Sequence, residues 1–463
     1  LSQTHPPPTF RLSTWTLIAF ASPGLAATLL ISPVFGILPS YYALHTSVTL
    51  VQIGGAFLVA RVADALIDPM VGILSDRTRT RLGPRLPWMI AGALLAAPSA
   101  YFLFLPPPDA TTAYFLTWST ATMFAWTLLT IPHGAWAAEL SDNYDERSRV
   151  FGVRNVLAQI GGFAFFLLPP LLAPLTGTTE IEASTMWALV IALWVLTPLS
   201  LLWAAAKVPG HGSTARQSML KPASFTSILR SITANKPFLS FILITILAGF
   251  AAGMHTALQF LFVQDYLKLG PSFFLVAVAG SAAMIGSTPL WLWASRRFSK
   301  HHAWAVGLVL GGLVSLPLLI LQPGPQSLIP LLIVMVLSGV MNGVIIPLPA
   351  SVLADIADYE SWKQNTSVTG NYFSFLVLIS KITAAVGASA ALFLSDFLGY
   401  VPKAEGDANS VAILTPLVIV PAILHLAAAA LVWRFPLNRH RQEIITRRLA
   451  ERQVRAERAA AAA

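Results

Sequence analysis

Asp64 and Asp68 stand four residues apart in RVADALIDPMVGILSDRTRTR, residues 61 to 81. At about 100° per residue, that spacing puts both carboxylates on one helix face, a turn apart. The surrounding residues are those of a membrane-buried helix, where one ionised carboxylate near the bilayer centre costs at least ~2.5–3.5 kcal/mol. Two neighbouring carboxylates also repel each other, so the pair calls for a cation. Arg61, one turn earlier, offers a permanent charge, and Lys381 in FSFLVLISKITAAVG offers another. One reading is a static ion-pair network. The other is a site that a proton or a small monovalent cation enters and leaves, and intramembrane acids favour it because they mark ion and proton pathways.

Other polar and aromatic side chains lie inside apolar runs: Trp126, Thr130, His133, Arg154, His255, Gln259, Asn342 and Tyr372. They are candidate solute contacts. Aromatic rings stack on a sugar face but suit an acyl chain or an aryl group equally, and each also reads as packing or as an interfacial belt residue. His133, beside Pro132, is either a proton relay or a neutral, helix-bonded histidine. In the loops, Asp76 with Arg77 and Arg81, Glu139 with Arg147, and the acids Asp355 and Asp358 are candidates for a cytoplasmic latch between bundles. Exposed ion pairs contribute only ~0–1 kcal/mol, which suits a gate that has to open.

The elements that carry these residues follow from composition. Of 463 residues, 56% are hydrophobic and only 11% charged, whereas a soluble surface normally needs about a quarter charged. The chain reads as an all-α integral membrane protein. A spanning helix needs ~20 mostly apolar residues, and twelve such runs occur: 14–38, 48–75, 87–105, 111–138, 151–174, 185–207, 237–265, 271–295, 303–321, 328–354, 369–398 and 410–434. Proline is frequent inside them (Pro23, Pro33, Pro69, Pro132, Pro198, Pro347, Pro349, Pro416), as membrane helices tolerate. The net charge of +9 sits in short loops and in the tail RFPLNRHRQEIITRRLAERQVRAER. That distribution argues for contact with anionic lipid, not nucleic acid, and for both termini in the cytoplasm. The opposite loops hold only Lys268 and Lys403.

A polar connection divides the runs six and six, which predicts an N-terminal bundle over 1–207, a cytoplasmic linker over 208–236, a C-terminal bundle over 237–434 and a basic cytoplasmic tail over 435–463. The halves echo each other. Pro132 to Tyr144 matches Pro347 to Tyr359 in spacing, and Pro69 has a counterpart in Pro289. Two parallel six-helix repeats are the layout of the major facilitator superfamily. The opening residues LSQTHPPPTFRLSTW lack the pattern of a cleavable signal peptide. With no cysteine, thiolate metal sites and disulfides are excluded. No phosphate-cradling glycine loop, metal-ligand spacing or nucleophile–base–acid arrangement points to an enzyme, and no cofactor or bound metal is expected beyond a coupling ion.

Three blocks, ARVADALIDPMVGILSDRTRTRLGPRLPW, IPHGAWAAELSDNYDERSRVFGVRNVLAQIGG and LADIADYESWKQNTSVTGNYFSFLVLISKI, resemble the glycoside-pentoside-hexuronide:cation symporters, the melibiose permease group of that superfamily. The resemblance implies twelve transmembrane helices in two six-helix bundles. It also implies a multi-pass location in a bacterial inner membrane, a monomer, and H⁺- or Na⁺-coupled symport of a small organic solute by alternating access. It casts Asp64 and Asp68 as cation carboxylates, Thr127 as a nearby hydroxyl, Lys381 as a coupling lysine and Arg154 as a residue beside the sugar and cation sites. Two departures bear on specificity. Ile67 stands where sodium-using members place an amide, which removes an oxygen ligand of the kind a hard cation needs and favours protons. No acid stands in LIAFASPGLAATLLISPVFG or at Thr130, where melibiose-type members grip sugar hydroxyls. The alternatives are a cation-coupled carrier of lysophospholipids or other anionic amphiphiles, and a proton-driven exporter.

Overall fold

The computed structural model describes residues 12–140, 144–177, 179–208, 235–345, 347–364, 369–403 and 409–436, with Ile444, Arg448 and Glu451. The expected linker and basic tail fall almost wholly outside these residues. Among the described residues there are helices and turns but no strand. The chain separates into two compact units, Leu1–Met219 with Gly270–Phe274, and Leu220–Leu269 with Leu275–Ala463.

The first unit contains α1 (Thr14–Gly36), α2 (Leu38–His45), α3 (Leu50–Arg77), α4 (Leu86–Phe104), α5 (Thr112–Glu139), α6 (Tyr144–Thr176) and α7 (Ala183–Lys207). Caps set several starts. Ser13 and Thr111 accept backbone N–H groups at the heads of α1 and α5, and Thr49 with Gln52 forms a reciprocal capping box at the head of α3. The short α2 is an addition to the expected runs. α1 packs on α5, α6 and α7, α3 packs on α5, and α4 packs on α5 and α7. α6 crosses α1 so closely that a Cβ on Gly161 would run into the Leu25 carbonyl; glycine there lets the two backbones meet.

The second unit contains α8 (Lys236–Leu261), α10 (Thr288–Arg297), α11 (Lys300–Ser315), α12 (Leu328–Asn342), α13 (Leu348–Gln364), α14 (Thr369–Phe397), α15 (Ser410–Leu414) and α16 (Val420–Trp433), with α9 (Phe273–Gly286) beginning at the boundary between the units. α8 packs on α14 and α16, as α1 packs on α6 and α7. The glycine crossing recurs: Gly253 of α8 lies against the Ala384 backbone and Gly387 of α14 against that of Phe250.

Proline behaves differently in the two units. α3 and α5 run straight through Pro69 and Pro132. The expected runs 271–295 and 328–354 are each two helices, broken before Pro289 at Ser287 and around Pro347. Pro289 opens α10, where its missing N–H is not needed. Two π-helical turns, Phe262–Tyr266 and Thr415–Ile419, extend α8 and join α15 to α16; Pro416 lies in the second and disrupts the regular ladder.

Eleven helical stretches among the described residues are long and apolar enough to cross a membrane. The expected fourth span, α5, falls outside that set although it is 28 residues long. Its threonines and tryptophans lower its hydropathy, and they include residues of the candidate site.

Candidate cation and solute site

The acid pair and Thr127 meet where α3 packs on α5. Thr127 Oγ1 lies 2.8 Å from Asp64 Oδ1 and 2.8 Å from Asp68 Oδ1. Thr127 is fully buried, Asp64 is 3% exposed, and Asp68 is half-buried. A hydroxyl has one hydrogen to donate, so it serves one carboxylate at a time. The other contact then sets lone pair against lone pair unless that carboxyl carries a proton or a cation lies between. Pro69 follows Asp68 directly inside α3 and removes one rung of the helix ladder at the turn that carries the acids.

Arg61 supplies one fixed charge. Its Nη1 donates to Asp64 Oδ2 at 3.1 Å, and its guanidinium lies over the Phe35 ring at 3.6 Å from the centroid and over that of Phe57 at 5.8 Å. Ring faces attract cations electrostatically. Its Nε is buried without a hydrogen-bond partner.

A second group joins α1, α5 and α6. His133 Nε2 lies 2.8 Å from the Phe20 carbonyl oxygen, and Arg154 Nε donates to His133 Nδ1 at 3.3 Å. The imidazole packs on the Phe20 ring at a centroid distance of 4.6 Å, and Trp136 meets that ring edge-on at 5.3 Å. With both ring nitrogens engaged, His133 is a bonded, neutral histidine in this arrangement. Thr130 donates to the Trp126 carbonyl of its own helix at 2.8 Å, a local bond typical of helical threonines, and Trp126 lies edge-on to Phe35.

The remaining candidates lie in the second unit. Lys381 is half-buried on α14, and Asn342 ends α12. His255 on α8 bonds the Leu417 backbone in the π-helical turn, and Gln259 Nε2 lies 3.5 Å from Met335 Sδ. Tyr372 departs from the expected solute-facing role. It is 1% exposed and stacked on Phe238 at 4.0 Å, and its hydroxyl accepts from Asn235 Nδ2 at 3.3 Å. Asn235 also donates to buried Glu360 at 2.7 Å and caps α8 through Phe238 N–H. Tyr372 is a core residue of that polar knot.

The loop pairs also differ from expectation. Asp76 and Glu139 both bind Arg85, whose Nη1 donates to Ser75 Oγ at 2.8 Å; Arg77 and Arg81 are exposed. Burial works against the charged Arg85, but its bonds and attraction to Glu139 and Asp76 outweigh that and raise its pKa above the ordinary arginine value. Asp355 takes two bonds from Lys300, at 2.7 and 2.8 Å, with Asp358 three residues further along α13. Each of these pairs lies within one unit. The side chain of Arg147 is outside the described residues. Glu146 binds Arg149 at 3.2 Å and accepts the Leu12 N–H at 3.0 Å.

Sequence reasoning missed Arg85, Lys300, Asn235, Glu360 and the Phe35 ring. For Arg85 the available signal was the acid and serine just upstream at 75–76. For Asn235 it was the Asn-Lys-Pro opening of an apolar run, a helix-start pattern. Among the described residues no group of three or more His, Asp or Glu side chains is placed to hold a metal ion.

Comparison with known proteins identifies the family. The family model described as MFS/sugar transport protein matches residues 19–439. The inner membrane symporter YicJ of Escherichia coli (strain K12) is 25% identical over 415 residues, covering 86% of this chain and 86% of YicJ. The sodium-dependent lysophosphatidylcholine symporter 1-A of Danio rerio is 24% identical over 428 residues, covering 84% of this chain and 80% of that protein. The crystal structure of nucleoside transporter NupG shares the fold, with a TM-score of 0.65 at 12% identity over 91% of this chain and 98% of NupG. Matched along nearly its whole length, the chain belongs to the MFS/sugar transport family, fits its glycoside-pentoside-hexuronide:cation symporter group, and is a multi-pass membrane transporter rather than an enzyme.

Proposed function

We propose that the protein is a cation-coupled symporter of a small organic solute, working by alternating access, with Asp64, Asp68 and Thr127 as its cation site. The observation that carries this reading is the single Thr127 hydroxyl placed 2.8 Å from an oxygen of each acid. Arg61 holds one carboxylate of the pair, and Asp68, half-buried, is the more open of the two. A proton is favoured over sodium because Ile67, on the same turn of α3, offers no oxygen to a hard cation. No resident cofactor takes part.

The solute is a glycoside, pentoside or hexuronide, in keeping with the sugar-transport family model. The second reading, an anionic amphiphile such as a lysophospholipid, is favoured by the basic side chains Arg154 and Lys381 and by the Danio rerio relative. Loop charges support a bacterial inner-membrane location with both termini cytoplasmic, and the protein acts as a monomer. The test is reconstitution in liposomes loaded with a pH-sensitive dye. Sugars, uronides and lysolipids are added in turn, with and without Na⁺. Solute-evoked acidification or sodium-dependent uptake supports coupling. Solute entry indifferent to both gradients refutes it.

A further inference from the structure

Arg154 is held by a ring, not by a carboxylate. Its Nε–H donates to His133 Nδ1 at 3.3 Å, and His133 Nε2 lies 2.8 Å from the Phe20 carbonyl oxygen. A carbonyl only accepts, so Nε2 carries the ring hydrogen and Nδ1 is the bare lone pair that the arginine requires. The ring is 1% exposed and packs on the Phe20 ring at a centroid distance of 4.6 Å. Arg61, Arg85 and Arg149 each reach an acid. Among the described residues Arg154 reaches none.

A guanidinium stays charged and presents its donors in a planar fork. With Nε taken by His133, the terminal edge, Nη1 and Nη2, remains for a ligand. Gly134 leaves one side of that edge uncovered: a Cβ added there comes to 3.8 Å from Nη2 and meets nothing else within 4 Å. A half-buried cation with no counter-charge among the described residues is costly in a membrane-spanning helix, and two parallel N–H groups match a carboxylate or a phosphate oxygen pair.

We propose that His133 is a positioning residue that fixes Arg154 so that its Nη1–Nη2 edge receives the carboxylate or phosphodiester group of an anionic solute. This rests on the solute-carrier reading and narrows its solute class.

The test uses the full chain in liposomes with three probes: p-nitrophenyl glucuronide (carboxylate), p-nitrophenyl glucoside (its neutral counterpart) and lysophosphatidylglycerol (phosphodiester). Transport of either anion with a KM at least about tenfold below that of the glucoside is expected, the worth of one charge-assisted bond. Which anion is preferred separates a free solute from a lipid headgroup. His133→Gln keeps a donor for Phe20 and removes the acceptor for Arg154; the KM for the preferred anion should rise about tenfold with Vmax within about twofold. His133→Asn, whose amide oxygen takes the place of Nδ1, should restore KM to within about threefold. Equal KM values in all three proteins, a fall in Vmax alone, or a preference for the glucoside overturns the proposal, and the last leaves the solute-carrier reading standing. Failure of every probe counts against that reading instead. ¹⁵N-histidine NMR then decides for His133 without transport: a bare Nδ1 in the resonance missing from His133→Gln supports its role, and a protonated Nδ1 overturns it.

Discussion

The Arg61 guanidinium lies 3.6 Å above the Phe35 ring while its Nη1 holds Asp64. Arg61 is held on one side by a ring and on the other by Asp64, while Asp68, half-buried and 2.8 Å from Thr127 Oγ1, is the more open acid of the proposed cation site. Asp68→Asn is therefore expected to abolish concentrative uptake while downhill exchange and thermal stability in detergent persist. Undiminished accumulation against a gradient by this variant would exclude Asp68 from coupling.

Thr127 bridges both acids from α5. Thr127→Ser keeps the hydroxyl and should retain coupled transport. Thr127→Val keeps the shape and removes the hydrogen that the hydroxyl gives to one carboxylate at a time, at a cost of about 1–3 kcal/mol. The apparent affinity for the coupling ion should fall about tenfold or more, read from uptake at graded pH or Na⁺. Equal ion dependence in the two variants would separate the hydroxyl from the cation.

Ile67→Asn adds an amide oxygen beside Asp68 on α3. Since hard cations are selected by oxygen number, sodium stimulation of uptake should appear or increase. An unchanged sodium response removes the argument for protons that rests on this position.

Arg85 gathers Asp76, Glu139 and Ser75. Arg85→Gln should lower the thermal unfolding temperature, by the equivalent of about 1–3 kcal/mol, whereas Arg81→Gln, on an exposed loop residue, should change it little. Identical melting curves for the two variants would count against Arg85 as the organiser of the α3–α4 loop.

Gly253→Val puts a side chain into the Ala384 backbone. Overpacking of this kind costs about 1–3 kcal/mol or more, and here the obstructing atoms are main chain. Loss of folded protein by size-exclusion chromatography is expected; Gly36→Val, with open space around its Cβ position, is the matched control.

The i, i+4 acids were legible because helical periodicity alone brings them together, and Thr127 because its place followed from the resemblance. Arg85 was not, since charge asymmetry reads all loop arginines alike. Only the folded turn at Gly83, with its φ of 82°, brings this arginine back to Ser75 and Asp76. Tyr372 was misread for a related reason. A tyrosine in an apolar helix suggests a ligand contact, but its partner Asn235 is 137 residues away. The breaks before Pro289 and around Pro347 were hidden because α3 and α5 carry proline in matching places and stay continuous.

Gly161 lets α1 and α6 touch main chain to main chain, and a seam that tight can neither slide nor spread without unfolding locally. α1 and α6 must then behave as a keel, and whatever occupies the acids can deflect only the planks laid against it. α5 is the plank fastened at both edges, to α3 through Thr127 and to the keel through His133. The acid pair and Arg154 are thereby geared to the same helix.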